Sequence, residues 1–182
     1  MEVDKLAAPD AASADQFGFS VGVSGALAVV GAIYDDCIAG SLCGSAHIFR
    51  FGGAEWVWEQ KIVSSDVAAN DEFGSAVAVD GNVAVVGAPK ADCPAGGNCG
   101  AAYVFRFNGA SWVQEQKLTA SDAAGADYFG HSVSVNGSVI VAGARLDNCA
   151  DGGPDCGSAY VFRFDGLRWA QEQRLFASDQ AW

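Results

Sequence analysis

The chain repeats one unit three times at a fixed spacing. The dipeptide Phe-Gly begins at Phe17, Phe73 and Phe129, which are each 56 residues apart in a chain of 182 residues. Repeats of this length are typical of small supersecondary units that stack because none can bury its own apolar face alone. The sequence therefore predicts a single repeat domain over residues 1–182, with units at about 11–66, 67–122 and 123–179.

Each unit carries the pattern of four short antiparallel strands. In the second unit these strands are expected at residues 73–80, 83–88, 100–107 and 111–118. The strands at 73–80 and 100–107 alternate large side chains with small or polar ones, whereas 83–88 is apolar throughout and suits a strand buried on both faces. The strand at 111–118 is more polar and suits an outer edge. Asp-Gly at 80–81 and Asn-Gly at 108–109 favour tight hairpin turns. No segment has the periodicity of a helix.

Four-stranded sheets that repeat radially form a β-propeller, so an all-β fold with three four-stranded antiparallel blades is predicted. A β-solenoid is the alternative, but its repeats are usually much shorter. Closed propellers have about four to eight blades. Three blades therefore form either a part of a longer propeller or a chain that completes the ring by oligomerisation.

Six cysteines follow the repeat as one pair per unit: Cys37 with Cys43, Cys93 with Cys99, and Cys149 with Cys156. One pair at the same place in each unit favours three local disulfides among the fifteen pairings that six cysteines allow. Zinc is the alternative, but it needs four nitrogen or sulfur ligands at short spacings, and the chain has only 2 histidines. Because disulfides persist in oxidising compartments, we expect a secreted, periplasmic or cell-surface protein.

Composition excludes several functions. The net charge of −12 disfavours nucleic acid, whose phosphates bind lysine and arginine. No apolar run approaches the length of about 18 residues that crosses a bilayer as a helix, so no membrane insertion is expected. The sequence contains no nucleophile elbow, no phosphate loop that opens a helix, and no carboxylates placed across a substrate. It therefore predicts a protein that is not an enzyme.

Two motifs resemble the FG-GAP repeat. The second unit has Phe-Gly-Ser-Ala-Val at 73–77 and Val-Val-Gly-Ala-Pro at 85–89, and the other units keep Gly-Ala at 31–32 and 143–144. Leu-Thr-Ala-Ser-Asp at 118–122 is similar to the bacterial subgroup of this family. The resemblance implies propeller blades like those of the integrin α-subunit head and of bacterial surface proteins, most of which mediate binding and adhesion.

Each linker ahead of a Phe-Gly holds two aspartates: Asp10 and Asp15, Asp66 and Asp71, Asp122 and Asp127. Such a pair could supply calcium ligands, with carbonyls and water completing the shell. Alternatively, these side chains accept hydrogen bonds from backbone N–H groups of the turn. The tight turns at 24–25, 80–81 and 136–137 are too short for the calcium loop of integrin-type repeats. The sequence therefore predicts no cofactor, with calcium at the aspartate pairs as the alternative.

The cysteine-bearing loops differ most between units, and variable loops on a regular scaffold usually carry recognition. A solvated loop without a specific role is the alternative. Trp58 departs from the repeat because glutamine holds its register position at 114 and 171, whereas the tryptophans at 56, 112 and 169 recur and suit blade packing. Candidate ligand contacts are therefore Trp58, Asp35, Asp36, Asp92, Asp147 and Asp151.

These observations together predict a non-catalytic extracellular module for protein binding or cell-surface adhesion. Two alternatives stay open, namely a structural segment that assembles with itself and a lectin-like propeller that binds carbohydrate. The expected partner is another protein or a second copy of the chain, as a homo-oligomer that completes the propeller.

Overall fold

The computed structural model describes residues 5–149 and 153–177, which form twelve β-strands and no helix. The first four are β1 (Phe17–Ser24), β2 (Leu27–Ala32), β3 (Ser45–Phe51) and β4 (Trp56–Ile62). The next four are β5 (Ala76–Asp80), β6 (Val83–Ala88), β7 (Ala101–Phe107) and β8 (Trp112–Leu118). The last four are β9 (Phe129–Asn136), β10 (Val139–Ala144), β11 (Ser158–Phe164) and β12 (Trp169–Leu175). Among the described residues there is no helix with the length and apolar character that crossing a membrane requires.

The strands form three separate sheets of four, each antiparallel and in chain order. We call them blades 1, 2 and 3. The inner strand β5 packs against β1 and β2 of the preceding blade, and β9 packs in the same way against β5 and β6. The predicted all-β fold of three four-stranded propeller blades is confirmed.

The apolar core lies between the blades. One buried cluster joins blade 1 to blade 2 and a second joins blade 2 to blade 3. Every residue of β6, the central apolar strand, is buried as its sequence predicts. Trp112 and Trp169 are also buried, as the packing prediction requires, whereas Trp56 is only partly buried. Each blade therefore depends on its neighbour to cover its apolar face.

The Phe-Gly dipeptide interrupts the regular strand pairing, since β1 and β9 include it but show a register shift beside it, and β5 begins only after it. Gly74 has a φ of 92°, a conformation that favours glycine. The alternation predicted from residue 73 therefore starts later, at Ala76, where β5 begins. This bend buries Phe73 completely against the rings of Tyr103 and Phe105, with centroid distances of 5.6 and 6.0 Å.

A glutamine on each outer strand also joins successive blades. The side-chain amide of Gln60 donates to the carbonyl of Trp112 and its oxygen accepts from the Trp112 N–H, both at 2.8 Å. Gln116 makes the same pair of bonds to Trp169, at 2.7 and 2.8 Å. Because these tryptophans are buried, the glutamines satisfy backbone groups that water cannot reach.

Candidate binding surface

The cysteine-bearing loops and the linkers lie at one end of the blades. In each blade the first strand starts, the second ends and the fourth ends at this edge, because neighbouring strands are antiparallel. We call this end the loop surface. It comprises the linkers at 5–16, 63–72 and 119–128 and the described parts of the loops at 33–44, 89–100 and 145–157. The tight turns lie at the opposite end.

Three local disulfides hold the loops, as predicted: Cys37–Cys43, Cys93–Cys99 and Cys149–Cys156. The backbone beside two of these bridges also binds the linker that enters the next blade. Phe73 N donates to Cys43 O and Phe129 N donates to Cys99 O, both at 2.9 Å. Each of these loops is therefore fixed both to its own blade and to the next one.

The first aspartate of each linker pair forms an ion pair with a cation on the fourth strand. The pairs are Asp10–Lys61 at 2.7 Å, Asp66–Lys117 at 2.6 Å and Asp122–Arg174 at 2.8 Å. The hydrogen bond from Lys61 lowers the pKa of Asp10. These lysines and the arginine hold one register position of the repeat, a signal present in the sequence that the carboxylate pattern alone does not show.

The second aspartate of each pair closes a turn. Asp15, Asp71 and Asp127 each accept a hydrogen bond from the backbone N–H three residues earlier, at 2.6, 2.9 and 2.6 Å. Burial raises the pKa of Asp71 and of Asp127. This geometry supports the turn interpretation of these residues. Within the described residues, no three His, Cys, Asp or Glu side chains are grouped so that they could hold a metal ion.

The aspartates predicted to contact a ligand are also engaged within the protein. Asp36 and Asp92 accept backbone N–H groups across their own loops, at 3.1 and 2.9 Å. Asp35 binds Lys61 at 2.5 Å, and Asp147 binds Arg174 at 3.0 Å. Asp151 lies outside the described residues. The described aspartates therefore shape the loop surface through contacts within the protein.

Trp58 and His47 belong to one hydrogen-bonded chain in blade 1. The Trp58 Nε1–H donates to His47 Nδ1 at 3.3 Å, and His47 Nε2 lies 3.2 Å from Ser45 Oγ. Ser45 in turn donates to Asp35 at 2.6 Å. His47 is fully buried, and burial lowers its pKa. Trp58 as a residue is 40% exposed, and it lines a hollow of about 240 Å³ together with Arg50 and Glu59.

Two further features of the loop surface were not predicted. A cavity of about 570 Å³ opens between the first linker and the first disulfide loop, lined in part by Asp10, Asp15, Tyr34 and Asp36. Ile38, inside the first disulfide loop, is fully exposed.

Stacked four-stranded sheets with variable loops at one end define a repeat protein of the propeller class. Comparison with known families matches the FG-GAP repeat to residues 1–49, 56–105 and 112–162. The chain belongs to the FG-GAP repeat family, whose blades form β-propeller modules typical of binding and adhesion. A search of curated proteins finds no match to the chain.

Proposed function

We propose that the chain is an extracellular, non-catalytic FG-GAP module that binds a protein partner through its loop surface. The observation that carries this proposal is the double attachment of the first two loops, each to a disulfide and to the following linker. Loops fixed in this way lose little conformational entropy on binding. The three disulfides support an oxidising location. The internal partners of the carboxylates support a binding role over acid–base chemistry.

The test uses two exposed aliphatic residues at opposite ends of the blades. Ile38 lies on the loop surface, and Leu167, in the turn between β11 and β12, is also largely exposed. We expect the biotinylated chain to bind members of an array of secreted and cell-surface proteins. Ile38→Asp should weaken this binding at least about tenfold, and Leu167→Asp should leave it unchanged. Equal binding by both variants, or an array without any binder, would contradict the proposal.

Carbohydrate is the second candidate ligand, favoured by the exposed indole of Trp58 and the adjacent hollow. An aromatic face can stack on a sugar ring while its N–H stays bonded to His47. On a glycan array, Trp58→Gln should abolish binding, since it installs the residue that blades 2 and 3 carry in this register. Glycan binding that survives this substitution would exclude the Trp58 site.

A further inference from the structure

The chain makes the same junction between blades twice. In each junction the Phe-Gly dipeptide of the following blade, which we call the plug, lies on two glycines of the preceding blade, which we call the socket. The socket of blade 1 is Gly31 with Gly44, and it holds the plug Phe73-Gly74. The socket of blade 2 is Gly87 with Gly100, and it holds Phe129-Gly130.

The socket positions require glycine because the backbone of the plug rests on them. A Cβ at Gly31 would collide with the carbonyl oxygen of Gly74, and a Cβ at Gly44 would collide with the backbone of Phe73. The second junction shows the same two collisions. Gly44 and Gly100 also have positive φ values of 81° and 85°, so the glycines at 31 and 87 are the clearer mark of an inserted plug.

Blade 3 has a socket that nothing fills within the described residues. Its glycines are Gly143 and Gly157, where an added Cβ would meet only atoms of blade 3 itself. A cavity of about 560 Å³ lies over them and is also lined by His131, Ser132 and Cys156. Cys156 holds the place of Cys43 and Cys99, whose carbonyls accept the N–H of the plug phenylalanine.

Blade 1 has a plug without a socket in the described part of the chain. Gly18 has a φ of 93°, close to the 92° of Gly74, so the plug already has its inserted conformation. A Cβ at Gly18 would meet nothing within 4 Å, whereas one at Gly74 would collide with Ser45 O.

Apolar residues on β1 are exposed beside this plug. Val21 and Val23 are 71% and 70% exposed, whereas their counterparts Val77 and Val79 in blade 2 are 9% and 8% exposed. An isolated chain therefore leaves uncovered the same valine face that its second blade buries against a neighbour.

We propose that the open socket of blade 3 receives the Phe17-Gly18 plug of a second copy of this chain. The contact joins different faces of the two copies, and two such contacts close a ring of six blades, within the usual range of about four to eight. Gln173 supports the match because it holds the place of Gln60 and Gln116, and its side chain makes no hydrogen bond within the described residues.

The incoming copy also brings residues 5–10, whose Lys-Leu and Asp repeat the pattern of 117–122. Because Lys5-Leu6 matches Arg174-Leu175 in the repeat, residues 5–10 of the incoming copy would follow the path that residues 174–177 take at the end of blade 3. Both segments cannot occupy this path at once, so either residues 5–10 of one copy or residues 174–177 of the other must be displaced when the copies join. This displacement weakens the association, so that dimers form only at higher concentration.

The test measures molar mass by light scattering over a wide dilution series. We expect the wild-type chain to change from 18.7 kDa to twice that mass as its concentration rises. Val21→Asp places a charge on the plug face, and Gly143→Val fills the socket, so each variant alone should stay monomeric. Gly52→Val is the matched control, because a Cβ there meets only Glu55 O at 3.8 Å.

An equimolar mixture of Val21→Asp and Gly143→Val gives the decisive result. One variant keeps its socket and the other keeps its plug, so the mixture should form a heterodimer through one junction. Circular dichroism and melting curves of each variant show that the blades remain folded. A wild-type chain that is monomeric at every concentration, variants that dimerise normally, or a mixture that stays monomeric would each overturn the proposal.

Discussion

At the residue scale, His47 is held in one protonation state by its neighbours. Trp58 can only donate, so His47 Nδ1 must accept, and the ring proton lies on Nε2 facing Ser45. A second proton would lie on His47 Nδ1, where the new N–H would face the N–H of Trp58 in a buried site. The hydrogen-bond geometry and the lowered pKa therefore agree that the folded protein contains neutral His47.

Stability should consequently fall in mild acid. Because the folded pKa of His47 lies below the ordinary value of about 6.5, the unfolded chain binds protons first as the pH drops through that value. The free energy of unfolding should decrease by up to about 1.4 kcal/mol per pH unit below it. His47→Tyr, which installs the residue of blades 2 and 3, should remove most of this slope in urea titrations between pH 7 and 5.

His131 provides the comparison, because burial and Arg145 also lower its pKa although its side chain is more exposed. His131→Ser should change the slope less than His47→Tyr does. If the two variants and the wild type lose stability equally between these pH values, the assignment to His47 is wrong.

At the element scale, the glutamine bridges bind neighbouring outer strands at two points each. Gln116→Ala would leave the buried N–H and C=O of Trp169 without their partner. We expect a loss of about 1–3 kcal/mol in the free energy of unfolding, measured by urea denaturation.

The matched control is Gln173→Ala in the last blade. Its side chain makes no hydrogen bond within the described residues, so it should cost almost nothing in a chain kept monomeric by Val21→Asp. A cost equal to that of Gln116→Ala would show that the bridge does not explain the loss.

The linkers give a prediction about metal. The first aspartates already bind Lys61, Lys117 and Arg174, and the second aspartates accept turn N–H groups. We expect the melting temperature to be the same with EDTA and with added calcium, measured by differential scanning fluorimetry. A rise of several degrees with calcium would show that the ion displaces these internal partners.

Most strands of the fold could be predicted from the sequence, whereas contacts between distant residues could not. The period, the alternation and the turn dipeptides predict the strands because each depends on local geometry. The delayed start of β5 was missed because alternation of residue types does not show the positive φ that Gly18, Gly74 and Gly130 share. The partners of Asp35 and Asp147 were missed because Lys61 and Arg174 lie far away in the chain.

At the scale of the whole molecule, stability depends on the junctions between blades. Gly87→Ala would force its Cβ into the carbonyl of Gly130 and separate blade 3 from blade 2. We expect a loss of about 3 kcal/mol or more, with calorimetry resolving a second, earlier transition for blade 3.

Gly143→Ala is the same change in the last blade, where the added Cβ meets first the side-chain oxygen of Ser132, which can rotate away, and not a backbone carbonyl. In a chain kept monomeric by Val21→Asp, it should shift the free energy of unfolding by less than about 0.5 kcal/mol. Equal losses at the two positions would mean that the strand, and not the junction, requires glycine.

The junction also gives the molecule a direction. Each blade carries glycines on the face toward its successor and valines on the face toward its predecessor. Any tandem duplication of one 56-residue unit therefore supplies both halves of a new contact, wherever in the unit the genetic breakpoint falls. A duplicated unit would therefore need no compensating substitution at the junction itself.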